Sequence, residues 1–204
     1  METGAAEWYW LGGRAALDFV NTRRERWRRR YECLCSPDDV SAWLVEAKLL
    51  PAPMPVPPAL LLEARALREA IDAGVRTAVD GDPPDLAALT LVDDWLVHAG
   101  SRPRLTLGPD GLPVLGERAA ADSPARALGT IALDAARMLG RPEERARIRI
   151  CASDTCSARF YDRSPAGRRR WCSMAGCGNV AKARRHRARA GIPTATSTQE
   201  RVSA

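Results

Sequence analysis

The sequence predicts an α+β fold that is mostly α: a helical N-terminal domain with one short β-hairpin, then a small module of short strands and a basic C-terminal helix. Three observations predict it. Apolar residues recur every three or four positions through much of the chain before residue 142, as in amphipathic helices. Four cysteines form two close pairs near the C-terminus. The segment that carries these pairs is strongly basic.

The first helices of the N-terminal domain begin at residues that favour a helix start. Ser36, followed by Pro37 and two aspartates, predicts a helix to about Lys48, because Ser caps the first turn and Pro and acidic residues suit it. The Pro-rich stretch 51–58 cannot continue that helix. The apolar spacing that follows predicts a long amphipathic helix over about 58–79.

The rest of the N-terminal domain is predicted to contain more helix and the β-hairpin. The helical pattern repeats over 86–96. Two β-prone segments, 104–107 and 112–115, flank a Gly-Pro-Asp-Gly turn, which predicts the hairpin. Ser123-Pro124 starts another helix. We expect its buried face to carry Leu128, Ile131, Ala135 and Met138.

The C-terminal module is predicted to be two short strands and a helix. Alternating basic and apolar residues over 147–150 predict a strand that delivers Cys151, and 159–162 predicts a second strand. A turn then returns the chain through 168–171. Residues 175–190 are rich in Ala and Arg, both good helix formers, so we expect a helix there. The predicted domains are thus 1–143 and 147–192, with a disordered tail over 193–204.

The paired cysteines predict a structural zinc site of one ion per chain. Four residues separate the members of each pair, and fifteen lie between the pairs. Four thiolates satisfy tetrahedral zinc and leave no open position for water or substrate. Unliganded thiols, or redox or iron–sulfur chemistry, are the alternatives. The expected ligands are Cys151, Cys156, Cys172 and Cys177, with Phe160, Tyr161 and Trp171 as the small apolar cluster beside them. With its short strands and basic C-terminal helix, the module is expected to be a treble-clef-like zinc finger.

Two further cysteines, Cys33 and Cys35, have no matching pair and are interpreted as free thiols.

The charge of the chain is concentrated in the cysteine-bearing segment. Over 147–192, twelve Lys and Arg face only Asp154 and Asp162, a net +10, so the remaining residues sum to −4 of the overall +6. Such a segment attracts polyanions. We expect it to bind nucleic acid, with duplex DNA favoured, rather than to be merely solvated or to dock an acidic protein. The candidate contacts are Arg168, Arg169, Arg170, Asn179, Lys182, Arg184, Arg185, Arg187 and Arg189.

Within the predicted C-terminal helix, spacing separates two faces. Lys182, Arg185 and Arg189 share one face, while Cys177, Ala181 and Ala188 share the face expected to pack on the zinc core. In the other domain, the arginine-rich stretch 23–30 is interpreted as a solvated loop or helix extension.

Two stretches resemble known families. Cys151-Ala-Ser-Asp-Thr-Cys156, Phe160-Tyr161-Asp162, Arg170-Trp171-Cys172-Ser173-Met174 and Cys177-Gly178-Asn179-Val180-Ala181-Lys182 resemble the CGNR zinc finger of bacterial proteins. Leu11-Gly12-Gly13-Arg14 and Leu17-Asp18-Phe19-Val20-Asn21-Thr22 resemble the start of the ABATE domain that usually precedes that finger. The resemblance implies a stress-induced transcription regulator that binds DNA through the finger. The N-terminal domain would then sense an effector or pair with a second copy.

Val180 departs from the family pattern, because it stands where the motif name has Arg. The four ligands are kept, and Arg184 follows one turn later on a nearby face.

The leading hypothesis is a DNA-binding regulator, and an RNA- or ribosome-associated binder or a zinc-stabilised protein-interaction module is the alternative. An enzyme is not expected, and no catalytic residue is assigned, because the chain has two histidines and no phosphate loop or nucleophile elbow. Asp18 and Asn21 lie among apolar residues, so they either line a ligand pocket or, the favoured interpretation, cap a helix or satisfy buried backbone. A small-molecule effector and a homodimer are candidate partners.

The expected location is the cytoplasm of a bacterium, in association with the nucleoid. The N-terminus has neither the charge nor the apolar core of a signal peptide, and the apolar runs are too short to cross a bilayer.

Overall fold

The computed structural model describes residues 8–100, 103–117 and 121–189. It is mostly helical with short antiparallel strand pairs, which confirms the predicted α+β class. The helices, with a 3₁₀ turn at Trp95–His98 after the fourth, are α1 (Ala15–Val20), α2 (Pro37–Glu46), α3 (Pro58–Asp80), α4 (Leu86–Asp94), α5 (Pro124–Gly140), α6 (Pro142–Arg145) and α7 (Asn179–Arg189). The strands pair as β1 (Arg23–Arg24) with β2 (Tyr31–Glu32), β3 (Pro103–Leu107) with β4 (Pro113–Glu117), and β5 (Ile148–Ile150) with β6 (Arg159–Tyr161).

The helix boundaries follow from local capping. Ser36 and Asp39 form a capping box at the start of α2, each side chain accepting from the backbone N–H of the other. Helix α3 ends at Gly81, whose φ of 76° lies in the left-handed region that glycine adopts without a steric cost. The Ser123 hydroxyl accepts from the Arg126 N–H at the start of α5. The predicted helices and the predicted hairpin β3–β4 are thus confirmed, with α2 ending slightly before Lys48.

Helix α3 lies at the centre of the main core and contacts α1, α2, α4 and α5. Its fully buried side chains include Ala64, Leu67, Ile71 and Val75. The predicted apolar face of α5, from Leu128 to Met138, is also fully buried. The core continues into the C-terminal module, because Ile148 of β5 is 1% exposed and belongs to the same cluster.

The arginine-rich stretch forms a loop, as predicted, but not all of it is solvated. Residues 23–30, here named the arginine loop, begin in β1 and connect it to β2. Arg26 turns inward, and its guanidinium lies 2.6 Å from a Glu69 carboxylate oxygen and 3.2 Å from one of Asp72. The prediction was wrong for this residue because two carboxylates of α3, three positions apart and on one face, supply its partners.

None of the described helices combines the length and the apolar character needed to cross a bilayer.

Candidate metal centre and nucleic-acid interface

The four predicted ligands converge on one point. Their sulfur atoms all lie within 4.8 Å of one another. The Cys156–Cys172 and Cys172–Cys177 sulfur pairs are each 3.8 Å apart. A tetrahedral zinc ion with bonds of about 2.3 Å requires sulfur separations of about 3.8 Å, so the geometry fits. A disulfide needs about 2.05 Å, and all four thiols are free.

The first ligand pair is positioned by the β5–β6 hairpin. Cys151 directly follows β5, and its N–H donates to the Ala158 carbonyl at 2.9 Å. A tight turn then brings Cys156 back, with its N–H donating to the Ser153 carbonyl. The Cys156 sulfur accepts from the Ala158 N–H at 3.4 Å. Backbone donors of this kind stabilise thiolates, the form in which cysteine binds a metal.

The second ligand pair is positioned by the turn that starts the C-terminal helix. The Ser173 hydroxyl accepts from the Gly176 N–H, and the Ser173 carbonyl accepts from the Gly178 N–H. These bonds hold a wide helical turn over Met174–Gly178, which places Cys177 beside Cys172. Helix α7 follows without a break. Cys177 therefore belongs both to the metal site and to the turn that leads directly into the basic helix.

Electrostatics also favour a cation at this point. Hydrogen bonds with the Cys151 and Cys156 sulfurs, together with burial, raise the pKa of the Cys172 thiol above its usual range. Four sulfurs this close cannot all ionise unless a positive charge compensates them. The donor set, the distances and the partial burial together suit one structural zinc ion.

Cys33 and Cys35 take no part in this cluster. Cys33 is buried and Cys35 is exposed, and both are free, which confirms their interpretation as thiols.

The three aromatic residues predicted to lie beside the metal divide between the main core and a small apolar cluster around the cysteines. Phe160 is 1% exposed and packs with Cys151 and Cys172, and Trp171 lies partly buried against them. Tyr161 packs instead on the main core, with the Arg14 guanidinium 5.3 Å from its ring centre. Placing all three beside the metal was wrong, because consecutive residues of a strand point to opposite faces.

Helix α7 projects from the module. None of its residues is buried, and its only half-buried side chain is Ala181. The expectation that Ala188 shares a packed face is wrong, because the apolar cluster around the metal is too small to extend along the helix. The helix contains no acidic residue, and its cationic side chains are all exposed: Lys182, Arg184, Arg185, Arg187 and Arg189.

The remaining candidate contacts differ in their surroundings. Arg168 and Arg170 are exposed, whereas Arg169 is half-buried and donates to the Cys172 carbonyl at 2.8 Å. The guanidinium groups of Arg170 and Arg185 lie 5.3 Å and 6.0 Å from the Trp171 ring centre.

Two polar residues of α7 make contacts within the module. The Asn179 side chain donates to the Ala175 carbonyl at 3.1 Å. Arg184 forms an ion pair with Asp154 in the turn between the first two ligands.

Asn21, from the ABATE-like motif, joins the two parts of the chain. Its side-chain amide donates to the Arg159 carbonyl and accepts from the Arg159 N–H, both at 2.9 Å, as a neighbouring strand would. Asp18 accepts from the Gly12 N–H at 2.7 Å, and burial raises the pKa of this carboxyl to about 6. The favoured interpretation, that these side chains satisfy backbone groups, is confirmed.

An ion pair that the sequence did not indicate lies beside Asn21. Arg159 is 2% exposed, and its guanidinium approaches the two Asp72 oxygens at 2.6 Å and 3.2 Å. Arg159 belongs to β6 and Asp72 to α3, so this ion pair joins the metal-binding module to the N-terminal domain. Nothing in the sequence around Arg159 indicates that it is buried while other arginines of the same basic segment are exposed. Its burial depends on Asp72, which is distant in the sequence.

Two protein-family models match consecutive parts of the chain. The ABATE family model, described as "Putative stress-induced transcription regulator", matches residues 13–142, which is more than half of the chain. The CGNR zinc finger model matches residues 147–190 and includes all four cysteines. No curated protein matches the chain. Neither family is described as an enzyme. The chain therefore belongs to the ABATE family and carries a CGNR zinc finger behind its ABATE domain.

Proposed function

We propose that this protein is a DNA-binding transcription regulator in which zinc fixes the finger and α7 contacts the phosphate backbone. The proposal rests on the exposure and charge of α7. This helix projects from the finger with five exposed cationic side chains and no carboxylate. Lys and Arg supply most nonspecific affinity for DNA because they neutralise phosphates and release counterions. Arg168 and Arg170 add exposed charge beside the same helix.

The proposed role of zinc is to order this helix. An isolated helix shorter than about 12 residues is marginal in water, and α7 has 11 residues with no buried side chain. Its fixed end is Cys177, in the turn immediately before it. A bound metal would hold that turn and so set the direction in which α7 leaves the finger.

For the N-terminal domain we propose a small-molecule site between α3, α4 and α5. A cavity of about 820 Å³ lies there, lined by apolar side chains that include Ala78, Leu89 and Leu139. Its volume is within the range of pockets that bind small ligands. An effector in this cavity would contact α3, the helix that holds the finger through Asp72.

The test replaces the cationic face of α7 by neutral side chains. The variant is Lys182→Gln/Arg185→Gln/Arg189→Gln, and the control is Lys48→Gln/Arg137→Gln/Arg141→Gln, which removes the same charge from exposed positions in the N-terminal domain. Duplex DNA binding is measured by fluorescence anisotropy over a range of about 50 to 200 mM salt, and each neutralised phosphate contributes about −0.9 to the slope of log K against log salt. The slope of the α7 variant should be shallower by up to about 2.7, for three phosphates, and the control should keep the slope of the wild type.

Equal binding by the α7 variant and the wild type would contradict the proposal. Stronger competition by single-stranded RNA than by duplex DNA would favour the RNA-binding alternative. A zinc-loaded protein that binds neither nucleic acid saturably would favour a protein-interaction module.

A further inference from the structure

The arginine loop lies directly opposite the metal site. A groove of about 580 Å³ separates them. Arg23, Arg29 and Tyr31 line one wall, and Ser157, Gly176 and Cys177 line the other. Since Gly176 and Cys177 belong to the turn that starts α7, the groove opens beside the basic helix.

Contacts connect the loop to α7 through the first zinc-ligand turn. The Trp27 indole N–H donates to the Asp154 carbonyl at 3.3 Å. The Asp154 carboxylate in turn pairs with Arg184 of α7. The Arg159 guanidinium also packs on Trp27, 5.5 Å from the centre of the indole ring. The ligand turn therefore contacts both the arginine loop and α7.

Some arginines of the loop form ion pairs with α3, and others are exposed to solvent. Arg23 and Arg26 pair with Glu69 of α3. Arg28, Arg29 and Arg30 are exposed. Among the described residues, no carboxylate lies within ion-pair distance of Arg28 or Arg30, and Arg29 reaches only Glu25, at 3.7 Å.

The backbone of the loop is held in an uncommon shape. Glu25 and Arg30 have φ values of 46° and 53°, in the left-handed region that residues with a side chain rarely adopt. Both Arg28 and Arg30 donate their N–H groups to the Glu25 carbonyl, which closes the loop on itself. Such conformations persist where surrounding contacts enforce them and are often found at functional sites.

The charge of the loop is also unusual for its domain. Residues 23–30 contain six arginines and one glutamate, a net +5. All residues outside 147–192 sum to −4, so without the loop they would sum to −9. The positive charge of an otherwise acidic region thus lies next to the finger, across the groove from the turn that starts α7.

We propose that the arginine loop is a second phosphate-binding element, through which the N-terminal domain contacts the same DNA duplex as α7. The inference rests on the proposed function, because it assumes that α7 binds DNA. Exposed guanidinium groups fit phosphate oxygens in a bidentate manner and remain charged at any physiological pH. Arg28, Arg29 and Arg30 supply these groups, and Arg26 and Trp27 anchor the loop that presents them.

The experiment compares three charge-matched variants of the full-length, zinc-loaded protein. The loop variant is Arg28→Gln/Arg29→Gln/Arg30→Gln. The α7 variant and the N-terminal control are those described above, and the control residues lie neither in the loop nor in the groove. Affinity for duplex DNA and for single-stranded RNA is measured over the same salt range, and thermal unfolding checks that each variant is folded.

The loop variant should bind duplex DNA more weakly, with a salt slope that is shallower by about 0.9 for each phosphate that the loop no longer neutralises, while the control is unchanged. If the loop variant binds as the wild type does and the α7 variant is weakened, the inference is wrong and the proposed function stands. Equal weakening of the loop variant and the control would show a general charge effect and overturn the inference. If neither the loop nor the α7 variant differs from the wild type, both proposals fail. Weakened binding to RNA alone would also overturn the inference.

Discussion

At the residue scale, a few buried polar groups join the two parts of the chain. Asp72 of α3 faces three arginines: Arg159 of the finger, Arg26 of the arginine loop and Arg76 of its own helix. Asn21 completes the edge of β6 with two hydrogen bonds to the backbone of Arg159. A buried ion pair contributes little net stability in itself, because desolvation opposes the attraction, but breaking it leaves an unpaired charge.

The variant Asp72→Ala should therefore be strongly destabilised. It leaves Arg159 buried without its carboxylate, at a cost of about 3–5 kcal/mol in the free energy of unfolding. Urea unfolding of the zinc-loaded protein measures this loss. Asp80→Ala is the control, an exposed aspartate at the end of the same helix, and it should change the stability by no more than about 0.5 kcal/mol. Similar stabilities of the two variants would show that the Asp72–Arg159 pair does not hold the finger.

At the element scale, α7 differs from every other long helix described. Helices α3 and α5 bury one face in the core, whereas no residue of α7 is buried. A helix that is polar all round needs an external partner or an anchored end. The finger supplies the anchored end at Cys177. Under the proposed function, DNA is the external partner.

The helix also carries an exposed apolar residue, Val180, where the motif of its family has Arg. The substitution Val180→Arg should strengthen DNA binding, because it adds a cation to the exposed surface of α7. One further phosphate contact would make the log–log salt slope more negative by about 0.9. Val79→Arg is the control, since Val79 is a similarly exposed valine of α3. If both variants gain equally in anisotropy titrations, net charge explains the effect and position 180 does not contact DNA.

At the scale of the whole molecule, the sequence predicted features that depend on neighbouring residues, but not contacts between residues distant in the chain. The N-cap at Ser36, the apolar face of α5 and the two cysteine pairs each lie within a short stretch, so the sequence alone predicted them correctly. The reciprocal bond from Asp39 that completes the capping box was not predicted. The inward turn of Arg26 and the Arg159–Asp72 pair could not be predicted, because each depends on a carboxylate more than forty positions away. The outward basic face of α7 was predicted, but the exposure of Ala188 was not, because helical periodicity gives no information on the size of the core beside the helix.

The two parts of the chain consequently share one fold. Ile148 enters the main core, and the Tyr161 N–H donates to the Gly12 carbonyl at 2.8 Å beside the bonds made by Asn21. Zinc binding at the finger is thus linked to the strand that packs on the N-terminal domain. The arginine loop, which contacts the ligand turn through Trp27, belongs to the same unit.

The central claim is that one zinc ion, held by four cysteines, makes α7 competent to bind DNA. The most direct measurement is a titration of metal-free protein with zinc in the presence of labelled duplex DNA. The DNA-bound fraction should rise and stop rising at one zinc per chain. Cys33→Ser/Cys35→Ser should behave in the same way, whereas Cys172→Ser should not respond at that stoichiometry. Tight binding by the metal-free protein, or a response unaffected by Cys172→Ser, would contradict the account.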